Sequence, residues 1–416
     1  MRTGTIRALD YWLGVPMCAL LTAVRRLRGE RRATPQRIVF LKFIEQGATV
    51  LAQDAIARAA SRVGRENLYF CVFATNRAIL DVLDIIPSEN ILSIRDNRLL
   101  TFAVDFVRAL LRMRSHRVDT VIDMEFFSRA SAIFAGLSGA STRVGLHRFT
   151  GELPYRGDLM THRVQYLPQV HISQQYAILV EAAFAEHLDE PLLKVPLPQL
   201  TPAVLTTRRF TPTAPELDAV RARLGIAGGT GPSPIILLNP NASDLLPLRK
   251  WETAKFIELA RRLLAAYPDA RIGVTGAPSE QAAAERVCQE IGGERVISFA
   301  GKTTLRELLA LYTVSDVLVT NDSGPAHFAS LTPIHTVVLF GPETPRLFGS
   351  LAPATTIIWK ELACSPCVSV FNHRLSPCRN NVCMQLIGVD EVFAAVSAAL
   401  GHGQLRARTT NVGGPP

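Results

Sequence analysis

Short apolar runs rich in β-branched residues alternate with amphipathic stretches along most of the chain, and this alternation constrains the fold more than any other feature. Parallel strands that are covered on both faces are almost continuously apolar, whereas the helices between them carry apolar residues at helical spacing. The pattern therefore predicts an α/β protein built on parallel sheets with helices on both faces. The expected strands are residues 37–43, 68–73, 91–94 and 118–124 in the first half, and 234–239, 271–276, 295–300, 315–320 and 335–340 in the second.

The two halves are separated by a proline-rich stretch, which cannot form a regular helix and is predicted to be a linker at residues 201–216. A chain of 416 residues is long enough for two domains. We predict a basic N-terminal segment at 1–36, α/β domains at 37–200 and 217–400, and a disordered tail at 401–416. Two α/β domains joined by a hinge imply a ligand cleft.

The net charge of +9 is concentrated at one end of the chain. Residues 1–32 hold seven arginines against two carboxylates and so carry +5 of it, whereas residues 11–24 hold no charge at all. Fourteen residues are too few to cross a bilayer, so residues 6–32 are predicted to lie on a membrane surface as an amphipathic helix. The alternatives are a helix packed on the protein's own core and a signal or anchor segment. No zinc-finger spacing, helix-turn-helix pattern or aromatic RNA-binding motif occurs, so no nucleic-acid partner is expected.

The stretch TNDSGPAH, residues 320–327, follows one of the expected strands and precedes a helix. Pro325 suits the first turn of a helix, and Asp322 or Ser323 would cap it. Free N–H groups at such a turn, at the carboxyl end of a strand, point to phosphate binding. His327 would either donate to a phosphate oxygen or cap locally. No G-x-G-x-x-G follows a strand and no Walker A sequence is present, which argues against a dehydrogenase or a P-loop enzyme.

Residues 300–345, which contain this turn, resemble the signature of glycosyltransferase family 9, the ADP-heptose:lipopolysaccharide heptosyltransferases. The similarity continues in LLNPNASDLLPLRKWETAKFIELARRL (237–263) and GVTGAPSE (273–280), and in the cysteine-containing segment from Cys364 to Ile387. The resemblance implies a GT-B architecture, in which two Rossmann-like domains face a central cleft with the acceptor side first and the nucleotide-sugar side second. It also implies inverting transfer with no cofactor or metal required.

The resemblance assigns donor-binding roles to several residues. Breaking a sugar–diphosphate bond builds negative charge on the leaving group, which fixed positive charge and N–H donors stabilise. Lys250 matches the family's phosphate-contacting lysine and is a candidate catalytic residue. Glu280 would accept hydrogen bonds from the ribose hydroxyls. The remaining donor-binding candidates are Ser243, Asp322, Ser323, Gly324 and His327.

The general base is where this chain departs from the family. An inverting transferase needs a carboxylate to take the proton of the acceptor hydroxyl, and the family has an aspartate directly after a glycine in the loop behind the first strand. Here Gly47 is followed by Ala48, and Glu45 is the nearest carboxylate. Glu45 is therefore the candidate base. Asp54 or Glu125 could replace it, or transferase activity has been lost.

Four of the seven cysteines lie within twenty residues, at 364, 367, 378 and 383. A C-x2-C pair with a second pair nearby is compatible with a structural metal site, with reduced structural thiols or with a disulfide. The sequence does not choose among these three.

The sequence hypothesis is thus a peripheral glycosyltransferase on the cytoplasmic face of the inner membrane. It would move heptose from ADP-heptose to a lipid-linked saccharide such as the lipopolysaccharide core. Two alternatives stay open: a catalytically silent nucleotide-sugar-binding protein, and a hydrolase or epimerase of nucleotide sugars.

Overall fold

The structure is a computed structural model that divides the chain into two compact units. Unit 1 comprises residues 1–206 and 369–375, and unit 2 comprises residues 207–368 and 376–416. The structure describes residues 10–28, 33–149, 151, 154–187, 189–200, 209–226, 234–242, 246–352, 354–372 and 374–410.

Unit 1 contains a six-stranded sheet in the order β3-β2-β1-β4-β5-β6, and every neighbouring pair is parallel. The central strand β1 is buried along its whole length because both faces of the sheet are covered by helices. The strands are β1 (Ile38–Leu41), β2 (Leu68–Phe73), β3 (Ile91–Ile94), β4 (Thr120–Asp123), β5 (Thr142–His147) and β6 (His162–Gln165).

The helices of unit 1 cover both faces of this sheet. They are α1 (Gly14–Arg28), α2 (Gln46–Leu51), α3 (Gln53–Val63), α4 (Ala78–Leu83), α5 (Leu99–Ser115), α6 (Arg129–Leu137), α7 (Ile172–Ala183) and α8 (Leu197–Leu200). One apolar cluster joins α1, α5 and α6 to alternate residues of the strands, such as Val39 and Leu41. Helices α3 and α7 pack against each other and contribute no residue to that cluster, so they lie on the opposite face.

Within the predicted N-terminal segment, residues 10–28 are described and are mostly helical, while residues 1–9 and 29–32 lie outside the described residues. Cys18 and Thr22 face inward from α1, whereas Leu13, Met17 and Leu20 are exposed. The helix therefore packs on the core of unit 1 and still presents an apolar stripe outward. Among the described residues, no helix is both long enough and apolar enough to cross a bilayer.

Unit 2 repeats the design with a second parallel sheet in the order β12-β11-β10-β7-β8-β9. Its strands are β7 (Ile235–Asn239), β8 (Arg271–Val274), β9 (Val296–Ser298), β10 (Val317–Asn321), β11 (His335–Phe340) and β12 (Thr355–Trp359). Its helices are α9 (Ala214–Leu224), α10 (Thr253–Ala266), α11 (Gln281–Ile291), α12 (Leu305–Val314), α13 (Gly324–Ala329), α14 (Pro345–Phe348), α15 (Val382–Gln385) and α16 (Val389–Thr410).

The two sheets confirm the predicted α/β fold of two Rossmann-like units with parallel strands, the components of a GT-B protein. Sequence reasoning overlooked β5, β6 and β12. These strands lie at or next to a sheet edge and carry polar residues, such as Arg143 and Arg163, so they lack the continuous apolar signal of the central strands.

The first and last helices of unit 2 extend into segments that the sequence predicted to be a linker and a disordered tail. Helix α9 begins at Ala214, inside the stretch predicted to be a linker, and Pro215 occupies its first turn. Residues 401–410 continue the last helix, where composition had predicted a disordered tail. Residues 411–416 lie outside the described residues.

Candidate functional site

In unit 2 the predicted strand–turn–helix is present at the carboxyl end of β10. The strand ends at Asn321, and Ser323 is the N-cap of the six-residue helix α13, with Pro325 in its first turn. Ser323 makes no side-chain capping hydrogen bond; its hydroxyl donates to the carbonyl of Asn321 over 3.1 Å. The Ser323 hydroxyl therefore does not cap the N–H groups at the start of α13.

A buried asparagine, which sequence reasoning missed, holds this turn to its neighbours. The amide nitrogen of Asn321 donates to the carbonyls of Pro240 and Asn241, each over 3.2 Å, and its oxygen accepts from the N–H of Trp251 over 3.0 Å. One side chain therefore fixes the loop after β7, the segment around residue 250 and the end of β10. The available signal was an amide inside an apolar strand, since buried amides need partners.

The cation next to this turn is Arg249. Its Nε lies 3.4 Å from Oδ2 of Asp322, and its Nη2 lies 2.6 Å from Oε2 of Glu343. Both carboxylates are almost completely buried. Asp322 therefore takes part in an ion pair with an arginine that the sequence hypothesis had not singled out, and Glu343 was missed as well.

Lys250 comes directly after Arg249 and is partly buried. Its N–H donates to the carbonyl of Pro247 over 3.1 Å, and its carbonyl accepts from Nδ2 of Asn381 over 3.0 Å. The segment that carries the predicted phosphate-contacting lysine is thus held through both the N–H and the carbonyl of Lys250. The role of Lys250 stays a prediction.

The remaining donor-site candidates lie around the same strand ends or outside the described residues. Oε2 of Glu280 accepts from the N–H of Ala277 over 2.7 Å and so closes the turn between β8 and α11. A carboxylate accepts several hydrogen bonds, so this cap leaves a ribose contact possible. His327 is buried within α13. Ser243 lies outside the described residues.

The cysteine segment contains free thiols of different exposure. Cys364 is exposed and Cys383 is buried, and Sγ of Cys367 accepts from the hydroxyl of Ser376 over 3.2 Å. Burial, together with the nearby Cys367 and Cys378, raises the pKa of Cys383 and favours its neutral thiol. Within the described part of the chain, no group of three or more His, Cys, Asp or Glu side chains is arranged to hold a metal ion.

In unit 1 a buried lysine at the end of β1 organises the candidate base. Nζ of Lys42 lies 3.0 Å from Oε2 of Glu45 and 2.9 Å from Oε2 of Glu125. Burial alone would lower the pKa of Lys42, but the charges of Glu125 and Glu45 outweigh burial and raise it. The other oxygen of Glu125 accepts from the N–H of Phe43 over 2.6 Å. Glu125 follows β4, so the cluster joins two neighbouring strand ends.

Glu45 precedes α2 in a left-handed backbone conformation, with φ of 69°. Besides Lys42 it pairs with Arg374, which belongs to unit 1 although it lies far along the chain. Burial raises the pKa of Glu45, but the positive charges of Arg374 and Lys42 outweigh it and hold the pKa below its ordinary range. Glu45 is therefore ionised at neutral pH, and its ion pairs make it a weak base.

The remaining residues near this loop differ in what they can offer to an acceptor. Ala48 is in α2 and offers only a methyl group. Asp54 is held by Arg58 on the next turn of α3, with Nε and Oδ2 2.5 Å apart. The hydroxyl of Tyr176 is buried close to Lys42, and among the described residues nothing forms a hydrogen bond with it. Unit 1 thus brings the carboxylates of Glu45 and Glu125 and the cations of Lys42 and Arg374 together at one edge of its sheet.

Comparison with known proteins decides what kind of molecule contains these elements. A model of glycosyltransferase family 9 (heptosyltransferase) matches residues 107–374, which is more than half of the chain. The chain belongs to glycosyltransferase family 9. This confirms the resemblance inferred from the sequence.

Individual members of family 9 show how far the similarity extends. The lipooligosaccharide heptosyltransferase 2 of Campylobacter jejuni subsp. jejuni serotype O:6 is 26% identical over 172 residues, which cover 39% of this chain and 50% of that protein. The chain therefore matches about half the length of this family 9 relative. The structure of E. coli ADP-heptose lps heptosyltransferase II superimposes with a TM-score of 0.66 at 17% identity and covers 88% of this chain and 99% of that one. E. coli heptosyltransferase WaaC with ADP gives a TM-score of 0.61 at 14% identity, covering 87% of this chain and 99% of that one. At these identities the structural likeness establishes the fold.

Proposed function

We propose that the protein is an inverting glycosyltransferase that moves heptose from ADP-heptose to a lipid-linked saccharide such as the lipopolysaccharide core. The observation that carries this proposal is the family match over residues 107–374, which includes Glu125, the Arg249–Lys250 segment and the turn after β10. The relatives named as heptosyltransferases, and the structure of WaaC with ADP, support the donor.

In this reaction the bond between the anomeric carbon and the diphosphate breaks, and ADP leaves with the electron pair. The acceptor oxygen forms the new bond from the opposite face of the ring, and its proton passes to a carboxylate. Lys250 and the N–H groups of the turn at Ser323 and Gly324 would stabilise the negative charge that develops on the departing diphosphate. The charge comes from the protein, so no cofactor is required in this proposal.

Glu45 is the proposed base. Its ion pairs with Lys42 and Arg374 keep it ionised, so it can accept a proton at neutral pH, although its low pKa makes it inefficient. An acceptor hydroxyl that displaces the guanidinium of Arg374 would raise the pKa of Glu45 and so make it a better base. The reason is that Arg374 lowers this pKa more than Lys42 does. Glu125 would be the base if Glu45 only positions Lys42.

A second candidate function is supported by the same loop. Ala48 occupies the position at which the family has an aspartate, and the carboxylate of Glu45 is engaged in ion pairs with Lys42 and Arg374. A protein that binds the nucleotide sugar without transferring it would tolerate both features. The acceptor and a location on the cytoplasmic face of the inner membrane follow from the first proposal and would change with the second.

Mass-spectrometric turnover of ADP-heptose by the purified protein, with and without a deacylated inner-core acceptor, tests the proposal. We expect consumption that requires acceptor, is lost in Glu45→Gln and is kept in Glu89→Gln, an exposed carboxylate on the same unit. Full turnover in Glu45→Gln would show that Glu45 is not the general base. Binding without consumption would establish the silent protein, and consumption without acceptor a hydrolase.

A further inference from the structure

Two helices of unit 1 present stripes of exposed apolar side chains that do not pack in the core of the unit. On α1 and at Leu13 directly before it, the large exposed residues follow helical spacing from Leu13 through Met17 and Leu20 to Leu27. On α5 the corresponding residues are Leu100, Val104, Val107 and Leu111. A helix on the surface of a soluble domain normally has polar residues on its outer side, and contiguous apolar surface marks an interaction site.

Both stripes face the same way. The inner sides of α1 and α5 belong to one apolar cluster on one face of the sheet, so their outer sides are directed away from that face. Helix α6 lies between them: Phe106 of α5 packs on Phe134 of α6 with ring centroids 4.9 Å apart, and Leu21 of α1 lies beside Gly136. The stripes are therefore two parts of one surface, with a helix of small and buried residues between them.

The two helices also run in the same direction. Helix α1 lies alongside α6, since Gly14 is next to Arg129 and Leu21 is next to Gly136. Helices α5 and α6 directly follow β3 and β4, so both begin at the carboxyl edge of the sheet. The aromatic and apolar beginnings of α1 and α5 thus lie at the edge where Lys42 and Glu125 lie.

The charges on these helices complement an anionic partner. Helix α1 contains three arginines and no carboxylate, and α5 contains three arginines and one aspartate. The exposed arginines Arg26 and Arg108 flank the apolar stripes. Trp12, which is 73% exposed, lies two residues before α1, and tryptophan favours the boundary between lipid head groups and acyl chains. Apolar stripes with flanking arginines and an exposed tryptophan fit the surface of an anionic bilayer.

We infer that α1 and α5 together form a bilayer-docking face, in which α5 is a second membrane-contacting helix beside the N-terminal segment. Their apolar beginnings enter the head-group region, and the arginines contact anionic lipid phosphates. The carboxyl edge of the unit 1 sheet, with Glu45 and Glu125, is then held against the membrane. The membrane contact itself does not depend on the proposed function. Only its biological role rests on that proposal, because a lipid-linked acceptor would present its saccharide at that edge.

Sedimentation with vesicles tests this face without donor or acceptor, so its failure is separate from a failure of the transferase proposal. The vesicles contain phosphatidylethanolamine with phosphatidylglycerol, or phosphatidylcholine alone. The variants are the pair Leu13→Ser and Leu20→Ser on α1, and the pair Leu100→Ser and Val107→Ser on α5. Val195→Ser with Leu386→Ser is the matched control, because both residues are exposed and neither is on this face.

We expect the wild-type protein to bind the anionic vesicles and each helix pair to bind them at least about tenfold more weakly, since each pair removes apolar area worth more than about 1.4 kcal/mol. The control should bind like the wild type, and all proteins should keep the same thermal midpoint. Undiminished binding by the α5 pair would overturn the inference, as would equal binding to phosphatidylcholine. A wild-type dimer that the same substitutions dissociate would show that a second copy covers this face instead.

Discussion

At the scale of single residues, the site in unit 2 depends on buried ion pairs more than on the motif residues themselves. Arg249 is held between Asp322 and Glu343, whereas the adjacent Lys250 is held through its backbone N–H and carbonyl. Removing one partner of a buried ion pair leaves an uncompensated charge, which is strongly destabilising. We therefore expect the two adjacent cations to act differently, Arg249 by holding the turn and Lys250 by binding the donor as proposed.

The first prediction separates these two cations. Arg249→Gln leaves two buried carboxylates without their arginine and should lower the free energy of unfolding by about 3 kcal/mol. It should also weaken ADP binding, because the turn at Asp322 loses its support. Lys250→Gln should weaken ADP binding by about tenfold or more and lower the thermal midpoint less than Arg249→Gln does, since Lys250 is only partly buried. Calorimetric titration with ADP and thermal unfolding measure both. An unchanged midpoint in Arg249→Gln would show that the ion pairs do not hold the turn.

The second prediction concerns Glu45 and its arginine. Because the charge of Arg374 holds the pKa of Glu45 low, Arg374→Gln lets that pKa rise toward its ordinary value. A base must be deprotonated, so the acidic limb of the pH profile of kcat/KM should move to higher pH in Arg374→Gln. Arg65→Gln, which removes an exposed arginine of unit 1, is the control and should leave the limb in place. A limb that stays in place in Arg374→Gln would argue against Glu45 as the base.

At the scale of secondary-structure elements, the docking of α1 on unit 1 depends on one close approach. Gly157 has φ of +74°, and a Cβ there would lie 2.8 Å from the carbonyl oxygen of Cys18 and 2.7 Å from Oγ1 of Thr22. The N–H of Asp158 donates to that same hydroxyl over 2.9 Å. The segment before β6 and the middle of α1 are therefore in backbone contact, which only glycine permits.

The third prediction follows from this contact. Gly157→Ala adds left-handed strain of about 1 kcal/mol and a clash with α1 of about 2 kcal/mol, because the carbonyl of Cys18 is backbone and cannot rotate away. Gly139 also has a positive φ, of +86°, but a Cβ there would make only ordinary contacts, so Gly139→Ala should cost about 1 kcal/mol. Thermal unfolding and limited proteolysis at residues 33–36 report the difference. Equal losses in the two variants would mean that α1 does not pack at Gly157.

At the scale of the whole molecule, the chain does not divide into two continuous halves. Residues 369–375 belong to unit 1 although the chain on both sides belongs to unit 2. Phe371 packs against Tyr166 with ring centroids 5.5 Å apart, and the guanidinium of Arg374 lies over Phe126 as well as pairing with Glu45. This short segment therefore completes the candidate site of unit 1.

The fourth prediction tests that dependence. Removing both anchors in Phe371→Ala with Arg374→Ala should destabilise unit 1 by about 2 kcal/mol and make residues 369–375 sensitive to protease, because an aromatic pair and a cation–π contact are lost. Stability and ADP binding of unit 2 should be unchanged. Leu375→Ala, at an exposed residue of the same segment, is the control. Protection of the segment in the double variant would contradict this assignment.

The sequence by itself determined the central strands, the two α/β units and the turn after β10, because buried parallel strands and helix starts have local patterns. It also determined the family, through motifs that stay contiguous. Only the tertiary structure decided that Arg374 pairs with Glu45, that Arg249 pairs with Glu343, and that α1 and α5 share one outer surface. These contacts join residues distant in sequence, and their existence depends on sheet order and helix packing, which no local periodicity encodes.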